Sequence, residues 1–124
     1  LACRFDHVEQ LSDPNCVKVV TSLTNRALYF SRAAIPFNRD QDPIEADDHL
    51  RHIGLYAYRV GFLNQFVQWP TTRLERLEKL EQLRALAHGA EILVEKAIRP
   101  VPPGVDTAED LKQVRQHFKE GNLP

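Results

Sequence analysis

Arg51-His52-Ile53-Gly54-Leu55-Tyr56-Ala57-Tyr58-Arg59 is the stretch around which the chain can be organised. It reads as a β-strand, and a strand sends alternate side chains to opposite faces. One face then carries His52, Gly54, Tyr56 and Tyr58. The other carries Ile53, Leu55 and Ala57, an apolar core face, with Arg51 and Arg59 at the ends. On the first face a histidine and a tyrosine flank a glycine, which leaves hydrogen-bonding capacity around a notch. Glycine inside a strand often marks the close approach of a ligand or another backbone. His52 has two readings. It is a satisfied structural residue between apolar neighbours, or it contacts a ligand or moves a proton, to which imidazole is suited.

Upstream, Val17-Lys18-Val19-Val20-Thr21 is rich in β-branched residues and predicts a strand. Thr24-Asn25-Arg26 predicts a turn, and Ala27-Leu28-Tyr29-Phe30-Ser31-Arg32 a second strand, so the pair forms a hairpin. Arg32 continues the Leu28 and Phe30 row. Such an arginine snorkels to water or pairs with an acid, or its forked donors aim at an anionic ligand. Residues 1–11 allow a short helix, and Ser12-Asp13-Pro14-Asn15 breaks it. Residues 35–48 read as a long loop, a lid or an interface arm, whose acidic residues are solvated.

Downstream, residues 60–69 predict a short helix that Pro70 stops, with Trp69 as a packing residue at its end. Thr72-x-x-Glu75 has the form of a capping box and opens a helix that runs to His88-Gly89. Leu74, Leu77, Leu80 and Leu83 form its stripe, and Glu75 and Lys79 are i,i+4 partners. Glu81 and Gln82 lie largely off that stripe, on what pattern alone makes a solvated face. Glu91-Ile92-Leu93-Val94-Glu95 predicts a third strand. A proline loop leads to a last helix capped by Asp106 or Thr107, with Leu111, Val114, Arg115 and Phe118 on its core side.

At 124 residues the chain suits one domain or a large piece of one, and 43% apolar content supports a core. A net charge of -1 argues against nucleic acid as a partner. Cys3 and Cys16 lack a CxxC spacing, which favours a reduced, cytoplasmic protein over a zinc site or disulfide scaffold. No apolar run reaches transmembrane length, so no membrane partner is expected, and no signal peptide is evident. The five glycines stand alone, so there is no glycine-rich phosphate loop. Pattern alone gives an α/β or α+β domain with a candidate pocket for a small anion.

Several stretches in order carry a resemblance. They are Pro14-Asn15 with Val17-Lys18-Val19-Val20, then Ala27 to Pro36, and then Arg51 to Phe62. Leu74-Glu75 with Leu80-Glu81-Gln82-Leu83-Arg84, and Gly104-Val105-Asp106-Thr107-Ala108-Glu109-Asp110-Leu111, complete the set. Together they resemble the C-terminal half of the CMP-Kdo synthetases, the 3-deoxy-manno-octulosonate (Kdo) cytidylyltransferases of Gram-negative bacteria.

The resemblance implies an α/β, nucleotidyltransferase-like fold with a mixed sheet, a hairpin and flanking helices, residues 1–124 being its C-terminal half. It implies a cytoplasmic, homodimeric enzyme of lipopolysaccharide synthesis that joins CTP and Kdo to give CMP-Kdo and pyrophosphate, using Mg²⁺. Arg32 is then a contact for the Kdo carboxylate, and His52, Tyr56, Glu81 and Gln82 are Kdo contacts. Asp106 is a catalytic residue and one of two aspartates that hold Mg²⁺, a hard cation that prefers such oxygens. Ala108 stands where the family commonly has proline. The basic CTP loop and the other aspartate belong to the family's N-terminal half, which this chain lacks. The polypeptide alone is therefore expected not to turn over CTP. A sialic acid or amino-Kdo cytidylyltransferase, or a non-catalytic interaction fragment, are the alternatives.

Overall fold

The computed structural model describes residues 1–5, 7–40, 48–99, 101, 105 and 108–119. Within them a four-stranded sheet has the order β1-β4-β2-β3. Its strands are β1 (Ala2–Arg4), β2 (Lys18–Thr21), β3 (Ala27–Ser31) and β4 (Leu50–His52). All three strand pairings are antiparallel. Residues 91–95, expected as a third strand, and Lys96 after them make isolated bridges instead: Arg26 with Leu93 antiparallel, and Ala2 with Lys96 parallel. The hairpin forms as expected, with Val19 opposite Phe30 and Lys18 opposite Ser31. Asn25 takes the left-handed turn position at φ 58°, which asparagine tolerates.

Register decides the two faces. Leu50, Val19 and Phe30 stand in one row across β4, β2 and β3. This side is the core, where Ala2, Val19, Ala27 and Phe30 pack with Leu80, Leu83 and Val94. The neighbouring row is Cys3, Arg51, Lys18 and Ser31, and it is polar although mostly buried. Lys18 is fully buried. Its ammonium donates to the carbonyls of Asp13 at 3.0 Å and Arg32, and burial pushes its pKa down. Arg51 donates from Nη2 to the Val101 carbonyl at 2.6 Å. A buried cation persists only when its protons are satisfied in this way. Cys3 and Cys16 are free thiols.

The opening stretch departs from expectation. Only its first two residues, Arg51 and His52, are strand, as the end of β4. Beyond His52 the amides leave the ladder: Ile53 donates to the Leu1 carbonyl and Leu55 to that of Ile53. The proposed apolar face therefore does not form, and Leu55 is 61% exposed. Nor does Gly54 make a notch, since a Cβ there would meet nothing within 4 Å.

Helix α1 (Val60–Phe66) and the turn after it end before Pro70, as the sequence predicts. The capping box at Thr72 forms, its side chain accepting from Glu75 N while Glu75 accepts from Thr72 N. The long helix expected from it is two helices, α2 (Arg73–Glu78) and α3 (Gln82–Ala87). Lys79 separates them in a left-handed conformation, φ 55°. Glu75 therefore pairs not with Lys79 but with Arg84 across the corner. The break also removes the precession of the three-spaced leucines, so Leu80 and Leu83 both reach the core. After α3, Gly89 takes the expected positive φ. Helix α4 (Ala108–Lys119) forms, but Leu111 and Phe118 are exposed rather than on a core side.

Candidate substrate cleft

Beyond the end of β4 the chain leaves the sheet, and its rings form a wall. Phe30 meets the His52 ring edge-on at 5.0 Å between centroids. Tyr56 stacks on Tyr58, and Tyr58 on Phe62, at 5.7 and 5.9 Å. Phe66 follows Phe62 one turn later on α1, and Trp69 meets both edge-on. Trp69 then stacks flat on His88 at 4.5 Å. Offset and edge-on contacts of this kind suit the ring quadrupole.

This wall bounds a cleft of about 720 Å³. Phe30, His52, Tyr56, Tyr58, Phe62 and Phe66 line one side and Gln82 and Ala85 of α3 another, while Leu1, Leu55, Ala57, Arg59 and residues 91–95 complete the lining. A few polar groups set in an apolar, aromatic lining is the usual composition of a small-molecule site.

Besides the charged Arg59, Glu91 and Glu95, two polar features line it. The Tyr56 hydroxyl and His52 Nε2 share a hydrogen bond of 2.7 Å. Burial lowers the His52 pKa to about 4. Burial, with Tyr58 and Glu81 nearby, raises that of Tyr56. The pair is therefore neutral at physiological pH, and a neutral imidazole offers one donor and one acceptor. The second feature is Gln82. It is 5% exposed, lines the cleft, and its amide nitrogen Nε2 has no hydrogen-bond partner among the described residues. A buried amide hydrogen left unpaired costs free energy, and a ligand oxygen would relieve that cost.

The six residues expected at a site are placed unequally. His52, Tyr56 and Gln82 share the cleft. Glu81 is exposed beside them, near enough to raise the pKa of both Tyr56 and Tyr58. Arg32 is not among the lining residues. Its Nε donates to the Glu78 carbonyl and its Nη1 to that of Pro14, each at 2.7 Å. Asp106 lies outside the described residues. Among the described residues no three His, Cys, Asp or Glu side chains are grouped to hold a metal ion.

The sequence reading missed Phe30, Phe62 and Phe66 as walls of the site. The spacing of Phe62 and Phe66, one turn apart and just after Tyr56 and Tyr58, was the available signal. It also missed the pair that braces the corner. Glu75 accepts from Arg84 Nε at 2.8 Å and from its Nη2, and the guanidinium lies 4.7 Å over the Phe66 ring. The Arg84 hydrogen bond holds the Glu75 carboxyl below its ordinary pKa.

The cytidylyltransferase family profile matches residues 1–96. A 3-deoxy-manno-octulosonate cytidylyltransferase of Haemophilus ducreyi is 53% identical over 127 residues, covering 97% of this chain and 50% of the relative. The 3-deoxy-manno-octulosonate cytidylyltransferase 2 of Actinobacillus pleuropneumoniae is 52% identical over 121 residues, 93% of this chain and 48% of the relative. The structure of CMP:2-keto-3-deoxy-manno-octonic acid synthetase complexed with CTP superposes with a TM-score of 0.83 at 34% identity, over 97% of this chain and 48% of that one. The chain thus spans about half the length of the curated relatives it matches. No helix among the described residues is long and apolar enough to cross a membrane.

Proposed function

The chain belongs to the cytidylyltransferase family, and on that premise we propose that it supplies the sugar-acid side of a cytoplasmic, homodimeric CMP-Kdo synthetase. The substrates are CTP and Kdo. In the reaction a Kdo hydroxyl attacks the α-phosphate of CTP. A carbon–oxygen–phosphorus link forms, the bond between the α- and β-phosphates breaks, and pyrophosphate leaves.

The observation that carries this reading is a cleft lined both by the neutral Tyr56–His52 pair and by Gln82, whose buried amide nitrogen has no partner among the described residues. A polyhydroxylated acid matches such a set. Its hydroxyls accept from Gln82 and exchange hydrogen bonds with Tyr56 and His52, and one ring face packs on aromatic carbon. A histidine whose pKa is about 4 is a weak base, so His52 holds a hydroxyl rather than deprotonating it. Glu81, exposed at the edge, accepts from a further hydroxyl. Arg32, outside the cleft lining, is assigned the carboxylate on the family resemblance, a guanidinium being suited to it.

Mg²⁺ with Asp106 as ligand stays in the proposal on the family resemblance alone. Among the described residues no three His, Cys, Asp or Glu side chains are grouped to hold it, and no step is drawn through the ion. When bound, the ion would neutralise charge on the phosphates.

The test is pyrophosphate release from CTP, catalysed by the full-length protein that carries this chain, with a panel of sugar acids. Kdo is expected to give the highest kcat/KM. A preference for a sialic acid or amino-Kdo would reassign the substrate, and release without any sugar acid would overturn the reading.

A further inference from the structure

We propose that Glu78 is a positioning residue of the sugar-acid site, an inference that rests on the function proposed above. Glu78 closes α2 and sits at the corner where that helix meets the end of β3. Its carboxylate accepts from the Ser31 hydroxyl at 2.7 Å and from the Arg32 amide at 2.9 Å. Its own carbonyl accepts from Arg32 Nε at 2.7 Å. One residue thus grips Arg32 by the backbone and by the guanidinium. Lys18 holds the Arg32 carbonyl, and Pro14 accepts from Nη1. Nη2 takes no part in these bonds, so the clamp leaves that nitrogen for a ligand.

The same residue fixes the other arm of the site. Lys79, left-handed at φ 55°, follows it directly. Leu80 and Leu83 then enter the core, and Gln82 between them lines the cleft. With α2 pinned at Glu78, the position of Gln82 is set by four residues of backbone. Glu78 therefore fixes Arg32 and Gln82 relative to one another. Two converging donors, a hydroxyl and an amide N–H, need two acceptor oxygens. Glutamate supplies both, glutamine only one, and aspartate is a methylene short.

The test reads both arms directly, by ¹⁵N-resolved NMR of the Arg32 Nε–H and Gln82 side-chain NH₂ signals in the full-length protein, assigned with R32K and Q82A. In E78A both signals are expected to move from their wild-type positions, the Arg32 Nε–H because the carboxylate that holds the Arg32 amide, and with it the guanidinium, against the Glu78 carbonyl is gone. Kdo affinity is expected to fall about ten- to a hundredfold, the cost of a misplaced binding group. In an R32A/Q82A background the E78A change should cost no further affinity, whereas a merely structural role would cost the same in both. E78Q, with one acceptor left, keeps the test open should E78A fail to fold, and should show intermediate shifts. Signals at wild-type positions in either folded variant overturn the proposal. Signals that move, in a protein that binds no sugar acid, leave the anchor standing and overturn the proposed function instead.

Discussion

The Tyr56 hydroxyl lies 2.7 Å from Nε2 of His52, four residues upstream, across backbone that has already left the sheet. A four-residue spacing in extended chain would place these side chains far apart. They meet because the backbone turns after His52, where Leu55 N bonds the Ile53 carbonyl. Tyr56→Phe removes the hydroxyl and leaves a half-buried imidazole nitrogen unpaired. The expected cost is about 1–3 kcal/mol in urea unfolding, the range for an orphaned buried group. KM for the sugar acid should rise with it. A variant as stable as wild type would show that the bond contributes nothing.

Stability should fall on mild acidification because of His52. Its folded pKa is about 4, below the unfolded value of about 6.5. Between those values the unfolded chain binds the proton and the folded one does not, so stability rises with pH across the window. It is complete above about pH 6.5 and is lost as pH falls toward 4. The shift corresponds to about 3 kcal/mol at most. Urea midpoints taken from pH 7.5 to 4.5 measure it, and His52→Asn should flatten the slope. An unchanged slope in that variant would assign the acid sensitivity elsewhere.

Gln82 should trade stability against function. Its amide nitrogen is buried without a partner among the described residues, and Gln82→Met keeps the shape while deleting that nitrogen. The variant is expected to melt at or above the wild-type temperature and to bind the sugar acid about tenfold or more weakly, the worth of a hydrogen bond or two. Differential scanning calorimetry and ligand titration read the two halves. A variant that melts lower and binds normally would contradict both.

The corner between α2 and α3 should depend on Glu75 more than on Thr72. Thr72→Ala loses one arm of the capping box, worth about 1 kcal/mol. Glu75→Ala loses the other arm and also strips Arg84 of its carboxylate, so it should cost more. Arg84→Lys should cost less than Glu75→Ala, because it keeps the charge while losing the fork and the stacking on Phe66. Urea unfolding of the three variants gives the order.

The hairpin was legible because β-branched residues flank an asparagine turn, and the capping box because Thr72 and Glu75 announce it locally. The corner at Lys79 was not. Lysine has no preference for left-handed backbone, and what holds it is tertiary: Glu78 on β3 and Glu75 on Arg84. The strand through residues 51–59 failed for a similar reason. Its alternation is local, but a strand needs partners, and β4 is paired by β1 only as far as His52 and by β2 only as far as Arg51. For the site, pattern alone put His52 with Tyr56 and Tyr58. Gln82 came only from the family resemblance, since on a continuous helix it would have been a solvated residue. The break that buries it could not be seen in residue spacing.

The flat stack of Trp69 on His88 has an optical consequence. Trp69 is the chain's sole tryptophan, and its edge touches Phe62 and Phe66, both in the cleft wall. The molecule therefore carries its own fluorophore one ring away from where a substrate would sit. Its emission, excited selectively at the red edge, follows the state of that wall without any label.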